Sequence, residues 1–380
     1  MSKFVTAADV LVIDKLNKVY GRPDKPIVHA VKDLSMTIRK GEIIALLGSS
    51  GCGKTSTLRM IAGLESVSSG SIQLAGNRIE ALPPSKRGVA MAFEGYSLYP
   101  PLTVRDNIAF ALKAQKLAAS DASKRVIETA RLVDIEGVLD RYPSSISGGQ
   151  QQRASLARAL VRKADLYLLD EPMGQLEPQL RAVLRGRIKS LLNDNAMTAI
   201  FVTHDQTEAN ALADRIAVME GGVLQQFASQ KDLKIKPSNL FVATFIGEPP
   251  MNVFDASLTR SGEGVSLALQ DGPSISLPAG EVSPAVLNAI GSRHTITLGI
   301  RPQNVEVAHG GLKGIVTSNQ WLGDQSHIAA EFAGKTIVAV TSARVAARPG
   351  AEMPLSFSAA DMHLFDSETG AAIAHGREAA

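Results

Sequence analysis

Apolar and polar residues alternate over positions 10–19 and the run closes at Tyr20-Gly21, the pattern of a half-buried strand. After a proline-rich turn at 21–26, residues 27–38 read as a strand pair leading into the continuous apolar run 43–47. Further strand patterns fall at 70–74 and 78–79, a hairpin around Gly76-Asn77, and at 88–93, 166–169 and 198–203. Helical periods occupy 104–117, 122–132, 151–162 and 178–193, the last with Pro178 at its start. The first part of the chain is therefore α/β, built on an early β-layer and carrying a helical subdomain at about 103–160. Beyond Gly247 the helical periods stop. Short alternating strands at 265–269, 275–277 and 295–300, separated by Gly, Pro and Asp-Gly turns, predict a small all-β barrel. The predicted domains are 1–240 and 241–380.

Candidate chemistry concentrates at the carboxyl ends of these strands. Residues 48–55, Gly-Ser-Ser-Gly-Cys-Gly-Lys-Thr, lie between an apolar strand and the helix pattern that begins at Ser56. This is the setting of a Walker A phosphate loop. Gly48, Gly51 and Gly53 let the backbone wrap a polyphosphate, with N–H donors from Ser49, Ser50, Cys52 and the following helix start. Lys54 is then placed for the β- and γ-phosphates of ATP, and the Thr55 hydroxyl for Mg²⁺. By average residue usage, the bare pattern arises by chance in roughly one chain in a hundred of this length. The flanking strand and helix make chance a poorer account.

The apolar run 166–169 ends in Asp170-Glu171, a Walker B arrangement in which the first carboxylate suits Mg²⁺ and the second can polarise a water. Two acids ending a buried strand are costly unless a cation or substrate compensates them. His204 ends the strand pattern 198–203, where ligand sites of open α/β sheets lie, although a lone His there is more often structural. Ser147-Gly148-Gly149-Gln150 opens a helix; alone it could be a plain N-cap or an anion site. Tyr20, at a strand end, suits stacking on a purine or simple local packing. The segment 94–101, with Glu94, Tyr96, Leu98 and Tyr99, is aromatic and proline-rich. That composition fits a domain seam or a partner surface equally well.

Composition narrows the reading. The 380 residues suggest two or three domains, and 45% apolar with 20% charged residues describe an ordinary globular protein. A net charge of +3 gives no case for nucleic acid. Cys52 is the only cysteine, which fits a reducing compartment. At a helix N-terminus its thiol pKa is expected to fall. Apolar runs are strand-length, well short of a membrane span of about 20 residues. The N-terminus, with a single early Lys3 and Asp9 interrupting its apolar stretch, does not have the layout of a signal peptide. A soluble, cytosolic chain is expected, held to a membrane only through a partner.

The order of these motifs resembles the ATPase subunit of ABC transporters, in the sugar and polyol importer branch with a C-terminal regulatory domain. Tyr20, residues 48–55, the loop at Glu94, Ser147–Gln150, residues 166–171 and His204 carry the resemblance, which spans nearly the whole chain. Pro249-Pro-Met-Asn252, Gly299-Ile-Arg-Pro302, Trp321-Leu-Gly323 and His363-Leu-Phe-Asp366 are similar to landmarks of the OB-type (TOBE) regulatory domain. The resemblance implies a head-to-tail dimer with two ATP molecules at the interface. Each would meet Walker A and B of one subunit and residues 147–150 of the other.

By the same resemblance Tyr20 stacks on adenine, Lys54 and Ser56 belong to the phosphate site, and Thr55, Asp170 and Glu94 serve Mg²⁺. Glu171 is the general base and His204 reaches the γ-phosphate. The loop around Glu94, Tyr96, Leu98 and Tyr99 receives the permease. The partners implied are transmembrane permeases, a second ATPase subunit (identical or paralogous) and, indirectly, a periplasmic binding protein, with the chain peripheral on the cytoplasmic face of the cell membrane. The sequence departs from the family twice. Glu94 stands where the family has a glutamine, and Gly174-Gln-Leu-Glu177 stands where it has Ser-Asn-Leu-Asp. The first is expected to alter this chain's own site. The second is expected to alter its neighbour's, as in a heteromeric importer with unequal sites.

Overall fold

The structure, a computed structural model, describes residues 9–21, 27–93, 95, 97–115, 117–174, 176–261, 264–277, 288–291 and 293–376. These fall into two compact units, one running to Gln230 and one starting at Lys231.

The first unit opens with β1 (Asp9–Tyr20) and β2 (Val28–Arg39), followed by β3 (Ile43–Gly48) and α1 (Lys54–Ala62). Next come β4 (Ser69–Leu74), β5 (Asn77–Arg78), β6 (Val89–Ala92), α2 (Val104–Phe110), α3 (Ala119–Leu132) and α4 (Gly148–Leu160). It closes with β7 (Leu166–Asp170), α5 (Pro178–Asp194), β8 (Ala199–Val202), α6 (Gln206–Leu212), β9 (Arg215–Glu220) and β10 (Val223–Ala228). One sheet has the order β2-β1-β4-β5 and is antiparallel. The other has the order β10-β9-β3-β8-β7-β6 and is parallel apart from β10. All six residues of β3 are buried, and a single apolar core joins both sheets to α1. The phosphate-loop strand therefore sits at the centre of the unit.

Three local readings change. Residues 27–38 are not a strand pair; β2 is one strand of 12 residues. The polar Lys32-Asp33 that looks like a turn is a bulge, with Asp33 at φ 45 and Lys15 of β1 at φ 43. Asn17 closes the bulge by donating to Asp33 Oδ1 at 2.9 Å and accepting from its N–H at 3.0 Å. The hairpin turn is Ala75-Gly76, one residue earlier than read. Leu74 pairs with Asn77, and both central residues have positive φ, as a type I′ turn requires. The helix expected over 104–117 stops at Phe110. Its end tightens as Ala111 N–H and Leu112 N–H bond three residues back, and a 3₁₀ turn follows at Lys113–Gln115.

After α7 (Gln230–Ile235) and α8 (Leu240–Phe245), the second unit is all-β, as its turn-rich sequence predicts. Its strands are β11 (Asn252–Ser261), β12 (Gly264–Leu269), β13 (Ser274–Leu277), β14 (Thr295–Ile300) and β15 (Glu306–Trp321). They continue with β16 (Ser326–Phe332), β17 (Lys335–Thr341), β18 (Glu352–Ser356), β19 (Met362–Asp366) and β20 (Ala372–His375). Two antiparallel sheets, β13-β12-β11-β14-β19-β20 and β17-β16-β15-β18, enclose one core in which Phe254 meets Phe332 edge-on at 5.5 Å. Arg301, from the Gly-Ile-Arg-Pro landmark, is a staple in this unit. Its guanidinium donates to the carbonyls of Lys234, Ala243 and Ile246, so it holds the ends of both short helices. Burial pulls its pKa down to about 10.

Candidate functional site

The phosphate loop leaves β3 at Gly48 and enters α1 through Gly53. A Cβ on Gly48 would lie 2.1 Å from the Met219 carbonyl oxygen, and one on Gly53, at φ +102, 2.3 Å from that of Ala30. Both glycines are demanded by backbone approach. No side chain caps α1, so its first-turn N–H groups face the loop's mouth, ready for an anion. Lys54 folds back over the loop, donating to Gly48 O at 2.9 Å and Ser49 O at 2.8 Å. Ser49 donates to the Glu220 carboxylate, which ties the loop to β9. Tyr20 reaches the start of α1 with its hydroxyl 3.3 Å from Ser56 Oγ. Lys18 Nζ lies 4.6 Å from the Tyr20 ring centroid and is itself paired with Glu65 at 3.0 Å.

Cys52 differs from expectation. It is only 2% exposed, and burial pushes its thiol up, with Lys54 opposing the shift only in part. Desolvation outweighs the helix terminus that was expected to lower it.

The acids and the histidine meet because β7 and β8 are parallel neighbours, with Asp170 opposite Val202. Asp170 is buried and its Oδ1 lies 3.5 Å from Thr55 Oγ1. Glu171 turns out of the strand at φ 44 and its N–H donates to Val202 O. Gln152 of α4 donates to Glu171 O at 2.7 Å, fixing that turn from the other side. The Glu171 carboxylate then stands 3.1 Å from His204 Nδ1. Ser50, Lys54, Thr55, Ser56, Glu171 and His204 all line one cleft of 340 Å³. A larger cleft of 860 Å³ lies beside Lys163 and Thr198, at the amino ends of β7 and β8, and holds none of these groups. We favour the smaller one, since ligands of parallel sheets bind at strand carboxyl ends.

Ser147–Gln150 is not on that cleft. Ser147 is the N-cap of α4, and its side chain and that of Gln150 bond each other's backbone N–H in a capping box. Ser147 is exposed and Gly148, Gly149 and Gln150 are half-buried.

Glu94 and Tyr96 lie outside the described residues. The rest of that loop is well anchored. Asn107, fully buried, accepts from Tyr99 N–H at 2.7 Å and its amide faces the carbonyls of Tyr99, Leu102 and Thr103. Arg158 of α4 donates to Ser97 O and lies over the Tyr99 ring. Tyr99 is 44% exposed and packs on Phe110, itself exposed, at 4.9 Å, while Leu98 is half-buried. Sequence reading missed Asn107, Arg158 and Gln152, whose only local signal is a polar residue inside a helix pattern.

The segment after Walker B lies against this chain's own acid: a Cβ on Gly174 would be 3.4 Å from Glu171 Oε2.

The family profile described as ABC transporter matches residues 31–174, that of the MalK OB fold domain 247–305, and that of the TOBE domain 298–365. The trehalose import ATP-binding protein SugC of Mycobacterium tuberculosis is 45% identical over 303 residues, covering 78% of this chain and 73% of its own. The trehalose/maltose import ATP-binding protein MalK of Thermococcus litoralis is 40% identical over 373 residues, 94% and 97% of the two chains. The sn-glycerol-3-phosphate import ATP-binding protein UgpC of Chromobacterium violaceum is 38% identical over 350 residues, 91% and 92%. Among solved structures, the dimeric ATP-binding cassette MJ0796 bound to ADP and Pi matches with a TM-score of 0.54 at 25% identity, covering 58% of this chain and 98% of that one.

Proposed function

The chain belongs to the import ATP-binding subunits of ABC transporters, the branch with a MalK-type OB fold and a TOBE domain, and from that premise we propose that it drives uptake of a carbohydrate or polyol through membrane permeases. It binds and hydrolyses ATP, as members of this family do. The cargo class rests on relatives that import trehalose, maltose and glycerol 3-phosphate.

One observation carries the assignment of roles: Lys54, Thr55, Glu171 and His204 share a single cleft, and Asp170 Oδ1 stands 3.5 Å from Thr55 Oγ1. Lys54 leaves the carbonyls of Gly48 and Ser49 for the β- and γ-phosphates, which the N–H groups of residues 49–56 also hold. Thr55, Asp170 and Glu94 would hold Mg²⁺, an all-oxygen set that suits a hard cation, with Thr55 Oγ1 and Asp170 Oδ1 already 3.5 Å apart. The cation would supply charge neutralisation of the phosphates. Glu171 takes the proton of the attacking water. His204 Nδ1 faces Glu171 Oε1 at 3.1 Å, and Nε2 contacts a γ-phosphate oxygen where it carries a proton to donate. Tyr20 stacks on adenine.

The site is completed in a dimer by residues 147–150 of a second subunit, identical or paralogous, whose helix start offers further N–H donors. The loop bearing Leu98 and Tyr99, together with Glu94 and Tyr96, docks the permease, and a periplasmic binding protein acts through it. No helix among the described residues is long and apolar enough to cross a membrane. As an import ATP-binding subunit working beside membrane permeases, the chain would sit peripherally on the cytoplasmic face.

The test is copurification of the tagged chain with its permeases from solubilised membranes, then ATP-driven uptake in proteoliposomes. Radiolabelled trehalose, maltose, glycerol and glycerol 3-phosphate are offered with the binding protein. Uptake of one of them supports the reading. A permease complex that moves none of them but transports another solute class overturns it.

A further inference from the structure

Glu171 and His204 come from different segments, and the loops that follow β7 and β8 set the distance between their side chains. Arg181, in the first turn of α5, reaches both loops. Its Nη2 donates to Gly174 O at 3.3 Å and Leu176 O at 3.2 Å, in the loop after Glu171. Its Nη1 donates to Asp205 Oδ2 at 3.4 Å, and its Nε faces Glu208 Oε1 at 3.7 Å, both just past His204.

The second loop is wired back to the histidine. Asp205 Oδ1 caps α6 by accepting from the N–H groups of Thr207 and Glu208. Glu208, 2% exposed, accepts from Thr203 Oγ1 at 2.8 Å, and Thr203 Oγ1 accepts from Asp205 N–H at 3.0 Å. His204 thus sits between Asp205, which Arg181 binds directly, and Thr203, whose partner Glu208 faces Arg181.

We propose that Arg181 is the positioning residue for hydrolysis, clamping the loop after Glu171 to the loop bearing His204 and thereby setting their contact. This rests on the reading of Glu171 and His204 as the hydrolytic pair. Arg181 does not line the nucleotide cleft, so it acts through those residues. An ordinary surface ion pair would contribute little. Arg181 differs in the number and placement of its partners: two backbone carbonyls in one loop, and on the other side the carboxylates of Asp205, the α6 cap, and of Glu208 in α6. A planar fork of donors suits that geometry, whereas a lysine's single ammonium cannot span it.

The test measures kcat, KM and ATP affinity for the full chain as wild type, Arg181→Ala, Arg181→Lys, His204→Ala and the Arg181→Ala/His204→Ala double variant. A misplacement of about 1 Å can lower turnover about a hundredfold. We expect Arg181→Ala to lower kcat at least about tenfold, with ATP affinity and KM within about twofold. Arg181→Lys should restore part of the loss. The double variant should be no slower than His204→Ala alone, because the clamp has nothing left to position. A kcat for Arg181→Ala within about twofold of wild type, or losses that multiply fully in the double variant, would overturn the proposal. Should Arg181→Ala fail to fold, Asp205→Asn keeps the α6 cap and removes the ion pair. It must then show a smaller fall of kcat at unchanged affinity, and an unchanged kcat overturns the proposal equally. Equal hydrolysis by wild type and Glu171→Gln would instead defeat the underlying reading of the pair, so the two failures are distinguishable.

Discussion

Glu171 Oε1 and His204 Nδ1 lie 3.1 Å apart although 33 positions separate them in the chain. Where Nδ1 donates its proton to Glu171, the neutral ring leaves Nε2 an acceptor, and only the doubly protonated ring also donates from Nε2 across the cleft. His204→Ala should therefore lower kcat by about 10²- to 10⁴-fold, while ATP affinity measured by fluorescence titration stays within about threefold. Loss of affinity matching the loss of turnover would make His204 a binding residue only.

Cys52 tests the burial of the phosphate loop. Its thiol is pushed up by desolvation, so at neutral pH it carries less thiolate than a free cysteine. Maleimide should modify it at least about tenfold more slowly in the folded chain than in urea. The rate should keep rising with pH past the ordinary thiol range, and ATP should slow it further. The folded chain holds the thiol proton to higher pH than the unfolded chain. This contribution to stability is therefore present below the unfolded pKa and lost as pH rises through the folded one. Rapid labelling at pH 7 with no effect of ATP would contradict the geometry.

Gly174 leaves one face of the Glu171 carboxylate without a neighbouring hydroxyl. Its φ is not in the left-handed region, and a Cβ there meets Glu171 Oε2 at ordinary contact, 3.4 Å. Gly174→Ser can donate to that oxygen and restrain the carboxylate. Turnover should rise about two- to fivefold at unchanged KM, within the roughly 1 kcal/mol of a net hydrogen bond. A fall below wild type in steady-state assays would contradict this.

Asn107 is the buried pin of the loop that carries Leu98 and Tyr99. Asn107→Ala leaves the Tyr99 N–H without that acceptor, a loss of about 1–3 kcal/mol of local stability. Basal hydrolysis by the isolated subunit should survive, while ATP-driven uptake through the permease falls at least about tenfold, by the 1.4 kcal/mol-per-decade relation. Equal uptake by the variant in proteoliposomes would remove this loop from the docking surface.

Much of the fold was legible because it rests on local pattern. The buried strands β3, β7 and β8 are short apolar runs, and the glycines at 48 and 53 are imposed by backbone contact that only glycine tolerates. Residues 54, 55, 170, 171 and 204 could be brought together in advance because each follows or ends such a strand. What escaped reading is long-range. The Asn17–Asp33 bulge turns an apparent two-strand segment into one. Gln152, Arg158 and Arg181 reach partners 19, 61 and 24 positions away, Asn107 pins carbonyls four to eight residues back, and residue type alone gives no sign of either. Cys52 was misjudged because position at a helix start is visible in sequence and depth of burial is not.

ATP hydrolysis by the wild-type chain beside Glu171→Gln, at saturating ATP with Mg²⁺, tests the central claim most directly. The account predicts that the glutamine variant binds ATP with unchanged affinity and turns it over at least about a hundredfold more slowly, as expected on losing a general base. Equal rates would show that the acid standing against His204 does no chemistry, and would contradict the account.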